Sequence, residues 1–229
     1  VTLAFSSYLP DVRHGSTRNE TSAGGNRPGP MQVLFSYPVL LGVLFFAVLS
    51  FAEIGISDFG VSSIHLIYEV PLTSATIALS AYLFAAPFGV LVGGWLADSF
   101  RRHDVVAAVC MVMFALCLTA SALLNPTWSV LIALFVVAGL VSGLVAPSRD
   151  LMIRSVTPPG DMGKVFGFVS SGFNIGGMLA PPFFGYLLDN MDPRFVFAVA
   201  AIFGVFAALV ALATGRGGHR SSSVERATG

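Results

Sequence analysis

Six apolar runs, each of roughly 18 to 25 residues, are set apart by short polar segments. They cover about 37–57 (with a continuation toward His65), 74–97, 105–123, 128–145, 165–188 and 195–214. At about 1.5 Å per residue, a helix of that length crosses a hydrocarbon core of about 30 Å. Inside lipid every backbone N–H and C=O must find a partner within the protein, so such runs become helices or close into a barrel. Alternating ten-residue strands are absent, which argues against a barrel. Composition agrees: 55% of residues are hydrophobic and 10% are charged, against about 25% charged in soluble domains. The expected fold class is an all-α membrane protein with six transmembrane helices, and its first partner is the lipid bilayer. Asn125-Pro126 is expected to end the third helix and Ala146-Pro147 the fourth.

The polar segments divide the chain. Residues 1–9 are mildly apolar and too short to span, and 10–30 are rich in Gly, Ser, Pro, Asn, Arg and Thr, the composition of a flexible loop. Residues 1–36 are therefore expected to hold the end of an earlier helix and a loop, 37–214 the six-helix domain, and 215–229 a polar, disordered tail. The sequence starts at Val1 rather than Met and shows no basic-then-apolar signal pattern over 1–30. It is expected to be a piece of a longer chain. Lys and Arg set the orientation. Arg13, Arg18, Arg27, Arg101, Arg102, Arg149, Arg154, Lys164, Arg216, Arg220 and Arg226 fall on one side of a six-span arrangement, and Arg194 alone on the other. Both ends are expected to be cytoplasmic.

Small residues recur four apart as Gly89 and Gly93, Gly139 and Gly143, and Gly172 and Gly176. On a helix such pairs form flat grooves for close backbone approach, serving either general packing or sliding. Pro181-Pro182 is expected to kink or loosen the fifth helix. Cys110 and Cys117 lie seven apart in one run and read as small core residues. His14, His65, His103 and His219 fall in loops or at span ends without ligand spacing, so no metal site and no cofactor is expected. Ser142, between glycines, has no histidine in another span to activate it. With no catalytic cluster, no phosphate loop and no basic stripe for nucleic acid, an enzyme, an ATP-driven pump and a nucleic-acid binder are not expected.

The turn between the second and third runs, Gly93 to Asp104, carries a further signal. Gly94-Trp95-Leu96-Ala97-Asp98-Ser99-Phe100-Arg101-Arg102 resembles the cytoplasmic loop signature of the major facilitator superfamily, Gly-x-Leu-Ala-Asp-(Arg/Lys)-x-Gly-(Arg/Lys)-(Arg/Lys). Gly94, Leu96, Ala97, Asp98 and Arg102 match. Ser99, Arg101 and His103 depart from it, as in the degenerate copy of the second half of such transporters. The segment from Arg149-Asp150 to Gly167 is similar to bacterial members grouped with fosmidomycin-resistance efflux pumps. The resemblance implies one half, the C-terminal six helices, of a twelve-helix bundle, partnered by an N-terminal six-helix half. It implies a secondary transporter of a small organic solute by alternating access, proton-coupled and of the efflux kind. Uptake of a metabolite by the same fold, or a six-span subunit that does not transport, are the alternatives. Gly94, Leu96, Ala97, Asp98, Arg101 and Arg102 would then gate the conformational change, with Asp98 pairing to Arg101, Arg102 or a neighbouring helix N-terminus. The plain alternative is a solvated helix end.

Ionisable groups within a span are costly and often functional. Glu53 lies about 16 residues into the first span, and Asp58 five residues on, near the outer interface. The resemblance places this helix beside the central cavity. Desolvation disfavours a carboxylate's charge, so Glu53 is the candidate proton or cation site. An ion pair with the other half and an interfacial carboxylate remain open. Asp58 reads as an interfacial carboxylate or as a further proton or substrate group, and Asn174 and Tyr82 are candidate substrate groups or inter-helix hydrogen-bond partners.

Overall fold

The computed structural model describes residues 34–100, 102–157 and 160–227, with the backbone alone at Asp98, Ser155, Val156 and 215–227. Six helices follow in order: α1 (Tyr37–Tyr68), α2 (Leu72–Ser99), α3 (His103–Leu123), α4 (Trp128–Val156), α5 (Met162–Asn190) and α6 (Arg194–Ala227). Short links punctuate them. α1 has a proline in its first turn, where a missing N–H leaves nothing unpaired. It ends at Glu69 in the left-handed region (φ 52°), just before Pro71. Asn125 turns the chain after α3 (φ 43°), and Pro126 prevents the helix from resuming. The segment expected as an earlier helix end and loop lies outside the described residues up to position 33.

Among the described residues, five helices are long and apolar enough to cross a membrane: α1 to α4 and α6. The fifth, α5, has 29 residues, but its Ser170, Ser171, Asn174 and glycines dilute its apolar character. It lies along α1 rather than apart from the bundle. The chain is an all-α integral membrane protein of six helices, as its apolar runs require.

Two expectations need correction. α4 does not stop at Ala146-Pro147 but runs unbroken to Val156. Pro147 forfeits the hydrogen bond to the carbonyl of residue 143, and residue 143 is a glycine. Its ring meets Gly93 of α2, where an added Cβ would stand 2.9 Å from the Pro147 Cγ. Membrane helices absorb such prolines because neighbouring helices cover the disturbed turn. Arg149 and Arg154 therefore sit on a helix, not in a loop. The helical backbone of α6 likewise continues past Thr214 to Ala227, where the composition points to a tail. The helix α5 also runs through Pro181 and Pro182 without a break.

The tightest pairs are α2 with α4 and α1 with α5; α3 packs on α6, and α1 on α6 as α3 on α4. Exchanging α1–α3 with α4–α6 maps this set of contacts onto itself. Because α1 and α4 run in opposite directions, the two triplets form an inverted repeat. The glycines explain the two tightest seams. A Cβ at Gly89 would fall on the Leu140 carbonyl, one at Gly139 on the Tyr82 carbonyl, and one at Gly143 on the Ala86 carbonyl. On the other seam, Gly172 meets the Val43 carbonyl and Gly176 the Ala47 carbonyl. Backbone-to-backbone approach of this kind gains dispersion contacts that larger side chains would block. Phe184 fills the notch at Gly55, and Phe51 stacks on Phe203 with centroids 4.3 Å apart. Cys110 and Cys117 are buried free thiols.

The lighter contacts do not obey the exchange. α1 packs on α2, but their counterparts α4 and α5 are not among the packed pairs. That gap matters for the site.

Candidate ion and substrate site

Near the midpoint of α1, Glu53 is half-buried against α4. The Ser142 hydroxyl donates to Glu53 Oε1 at 2.8 Å, and the Tyr82 hydroxyl donates to Ser142 Oγ at 3.3 Å. Three helices thus meet in one hydrogen-bonded line, Tyr82 (α2) to Ser142 (α4) to Glu53 (α1). The line crosses the glycine seam, since Tyr82 supplies both the hydroxyl and the carbonyl against which Gly139 packs. Tyr82 is 4% exposed and Ser142 9%. Buried polar groups are satisfied by partners or are expensive, and here each hydroxyl has one. A carboxylate accepting from one hydroxyl, with no partner for its other oxygen among the described residues, suits holding or releasing a proton.

Two turns along α4 from Ser142, about 10 Å nearer the cytoplasmic end expected from the charges, stands Arg149. Its guanidinium carbon lies 4.9 Å from the Phe46 ring centroid on α1 and 5.8 Å from that of Phe173 on α5. Both are within cation–π range. Its Nε donates to Asp150 Oδ1 at 3.3 Å. Alongside, Ser50 Oγ donates to the Phe173 carbonyl at 2.8 Å and ties α1 to α5. Arg149 therefore fills the gap between α4 and α5.

Of the groups singled out in the sequence, the structure brings Glu53 and Tyr82 together. Asp58 is elsewhere: it is exposed and accepts from Ser57 Oγ at 3.2 Å. Asn174 is exposed on α5 and has no hydrogen bond among the described residues; it follows Phe173, whose ring faces Arg149. Ser142 and Arg149 are the two members the sequence reading passed over. From sequence, Ser142 suggests only a nucleophile, and Arg149, beyond Ala146-Pro147, falls in an expected loop. The signal was their seven-residue spacing, which puts both on one face once α4 continues through Pro147.

At the turn after α2, Ala97 is buried and Leu96 half-buried. An added Cβ at Gly94 would meet nothing within 4 Å, and Ser99 Oγ donates to the Trp95 carbonyl at 3.0 Å. Arg102 pairs with Asp104 at 3.4 Å. Arg101 and the side chain of Asp98 lie outside the described residues. Leu96, Phe100, Val105 and Val109 wall an apolar cleft of about 460 Å³ between α2 and α3. A second groove of about 700 Å³ runs between α1, α5 and α6, lined by Phe51, Phe183, Phe203 and Tyr186.

Comparison with known proteins places this geometry. The family model of the Major Facilitator Superfamily matches residues 33–228. A probable anion transporter 6 from Oryza sativa subsp. japonica is 28% identical over 131 residues, 56% of this chain and 29% of that protein. The quinolone resistance protein NorA of Staphylococcus aureus (strain Mu50 / ATCC 700699) is 26% identical over 144 residues, 63% of this chain and 35% of that protein. This chain spans about a third of the length of these relatives. A solved POT family transporter, in complex with a thioalcohol-conjugated peptide, superposes with a TM-score of 0.62 at 20% identity. That superposition covers 75% of this chain and 37% of the transporter. With the loop signature, the inverted triplets and a family model spanning nearly all described residues, the chain belongs to the Major Facilitator Superfamily.

Proposed function

We propose that this chain is the C-terminal six-helix half of a secondary active transporter that moves a small organic solute by alternating access, with a proton carried on Glu53. The observation that carries the reading is the Ser142 hydroxyl at 2.8 Å from Glu53 Oε1, deep in the bundle. A carboxylate at that depth is costly unless it is used. Hydrogen-bonded across two helices of opposite triplets, it senses any change in how the triplets sit. When the bundle rearranges, the bond from Ser142 is kept or broken, and the proton affinity of Glu53 changes with it. That links a proton to a conformational cycle.

Further support comes from several sides. The glycine seams permit helices to slide with little side-chain obstruction. α2 is the least buried of the five apolar spans, with Ile77, Phe84, Phe88, Leu91 and Trp95 exposed along it. That stripe suits a second six-helix bundle, the N-terminal half. The relationship to a quinolone resistance protein favours efflux. The relationship to a protein named as an anion transporter favours movement of anions by the same fold. Residues such as Arg102, Arg154 and Lys164 favour a cytoplasmic placement for the even-numbered links and both ends, in a bacterial-type inner membrane. The Gly94–Arg102 turn, with Asp98, acts as the conformational latch.

The test is transport by the full-length protein in proteoliposomes under an imposed proton gradient, with a quinolone as first probe and a panel of organic anions beside it. Glu53→Gln is expected to abolish gradient-driven accumulation while exchange down the solute's own gradient persists. Parental proton coupling in that variant would remove Glu53 from the mechanism.

A further inference from the structure

We propose that Arg149 is the binding point for the anionic group of the transported solute, which makes that solute a small organic anion with an apolar or aromatic body. The inference rests on reading the bundle as a transporter, and it adds the chemical class of the ligand.

A guanidinium inside a spanning helix is costly unless its charge and its five N–H donors are used. Arg149 uses few of them. Nε reaches Asp150 at 3.3 Å. The two terminal nitrogens have no acceptor among the described residues. The Glu53 carboxylate is bonded to Ser142 and not to Arg149. The side chain is 23% exposed, so the free end is reachable.

The surroundings say what would reach it. Phe46 and Phe173 hold the guanidinium from two helices. Both rings hold the guanidinium carbon within cation–π range and accept no hydrogen bond in their plane, so the two terminal nitrogens keep their donors for a carboxylate, which a guanidinium can receive through two parallel hydrogen bonds. Those rings, with the apolar walls of α1 and α5, offer contact to an apolar body behind the anion. A small, strongly hydrated anion gains nothing from them. The site lies between α4 and α5, which are not among the closely packed helix pairs, so an anion bound there adds to the single bridge that Arg149 and Phe173 make between them. This gives the ligand different affinities for conformations that open or close the gap, as coupling requires.

The experiment is equilibrium binding of radiolabelled benzoate to the full-length protein in neutral detergent, with inorganic phosphate and phosphatidylglycerol as competitors. Arg149→Gln is expected to weaken benzoate binding about tenfold or more, the loss typical of a charge-assisted hydrogen-bond pair. Arg149→Lys, which keeps the charge and removes the fork, is expected to fall between parent and Arg149→Gln. Phosphate is expected to compete poorly. Parental benzoate affinity in either variant, with a monodisperse folded protein, overturns the proposal. So does a site that takes phosphatidylglycerol and not benzoate, since the ligand would then be a lipid headgroup. The proton reading fails separately. If benzoate binding depends on Arg149 while Glu53→Gln retains full proton coupling, the anion site stands and Glu53 is not the proton carrier.

Discussion

Replacing Gly143 by alanine tests the link between the glycine seam and the polar line directly. The new Cβ would fall on the Ala86 carbonyl oxygen and 2.9 Å from the Val90 nitrogen. Both are backbone atoms of α2 and cannot swing aside as a side chain would. To restore ordinary contact, α2 and α4 must part by about 1 Å at this level. Overpacking of this size costs about 1–3 kcal/mol. The separation also acts on Tyr82, whose hydroxyl reaches Ser142 at 3.3 Å, close to the limit of a hydrogen bond. The bond from Ser142 to Glu53 crosses to α1 instead and is spared. Gly143→Ala should therefore lower the thermal unfolding temperature in detergent and abolish the Tyr82 contribution, leaving Glu53 in place. Gly94→Ala is the control. It meets nothing within 4 Å and sits in a helix, where alanine is favoured over glycine by about 0.5–1 kcal/mol, so it should be neutral or stabilising. Gly93→Ala, facing the Leu144 carbonyl at 2.9 Å and the Pro147 ring, should lie between. Unfolding temperatures that do not fall in this order, measured on purified variants, would refute the claim that backbone contact at the seam positions the site.

Other outcomes follow from named contacts. Arg194→Ala should destabilise by about 1–2 kcal/mol, read by thermal unfolding, because its NH1 donates to the Ala122 carbonyl at 3.3 Å and its NH2 to Asn125 Oδ1 at 2.7 Å, pinning the link after α3 to the start of α6. Phe184→Ala should cost about 3 kcal/mol or more, since the ring is fully buried in the notch at Gly55; a loss below 1 kcal/mol in the same assay would show that the notch collapses without strain. Cys110 and Cys117, 7% and 6% exposed, should resist a maleimide in the folded protein and react once it is denatured in dodecyl sulfate, read by mass shift.

Much of the fold was legible in the sequence because lipid leaves few choices. A run of twenty apolar residues must satisfy its own backbone, and the helix is how it does so. The four-residue glycine spacing was legible for a related reason, since only glycine allows the approach seen at Gly89, Gly139 and Gly172. The end of α4 was not legible. Ala146-Pro147 is a stop signal in water, where the freed carbonyl is solvated and the helix gains nothing by continuing. Here α2 covers the proline and Gly143 gives it room, so the helix goes on. That single difference moved Arg149 from an assumed loop into the bundle.

The site divides in the same way. Glu53 stood out alone, as a carboxylate within an apolar run does wherever it occurs. Ser142 did not, because a hydroxyl among glycines has many uses, and its use depends on a residue 89 positions away. Sequence alone offers Tyr82 and Asp58 as candidates beside Glu53; helix packing joins Tyr82 to Glu53 through Ser142 and leaves Asp58 exposed.

The sequence by itself determined that the chain lies in a membrane, that each apolar run between 37 and 214 forms a helix, and which residues allow the helices to approach, because these follow from local composition and the absence of water. The tertiary structure decided which helices pair, that the triplets are inverted copies, and that Glu53, Ser142 and Tyr82 share a line with Arg149 two turns away. Those choices depend on shape fit between surfaces far apart in the chain. No local pattern encodes that fit.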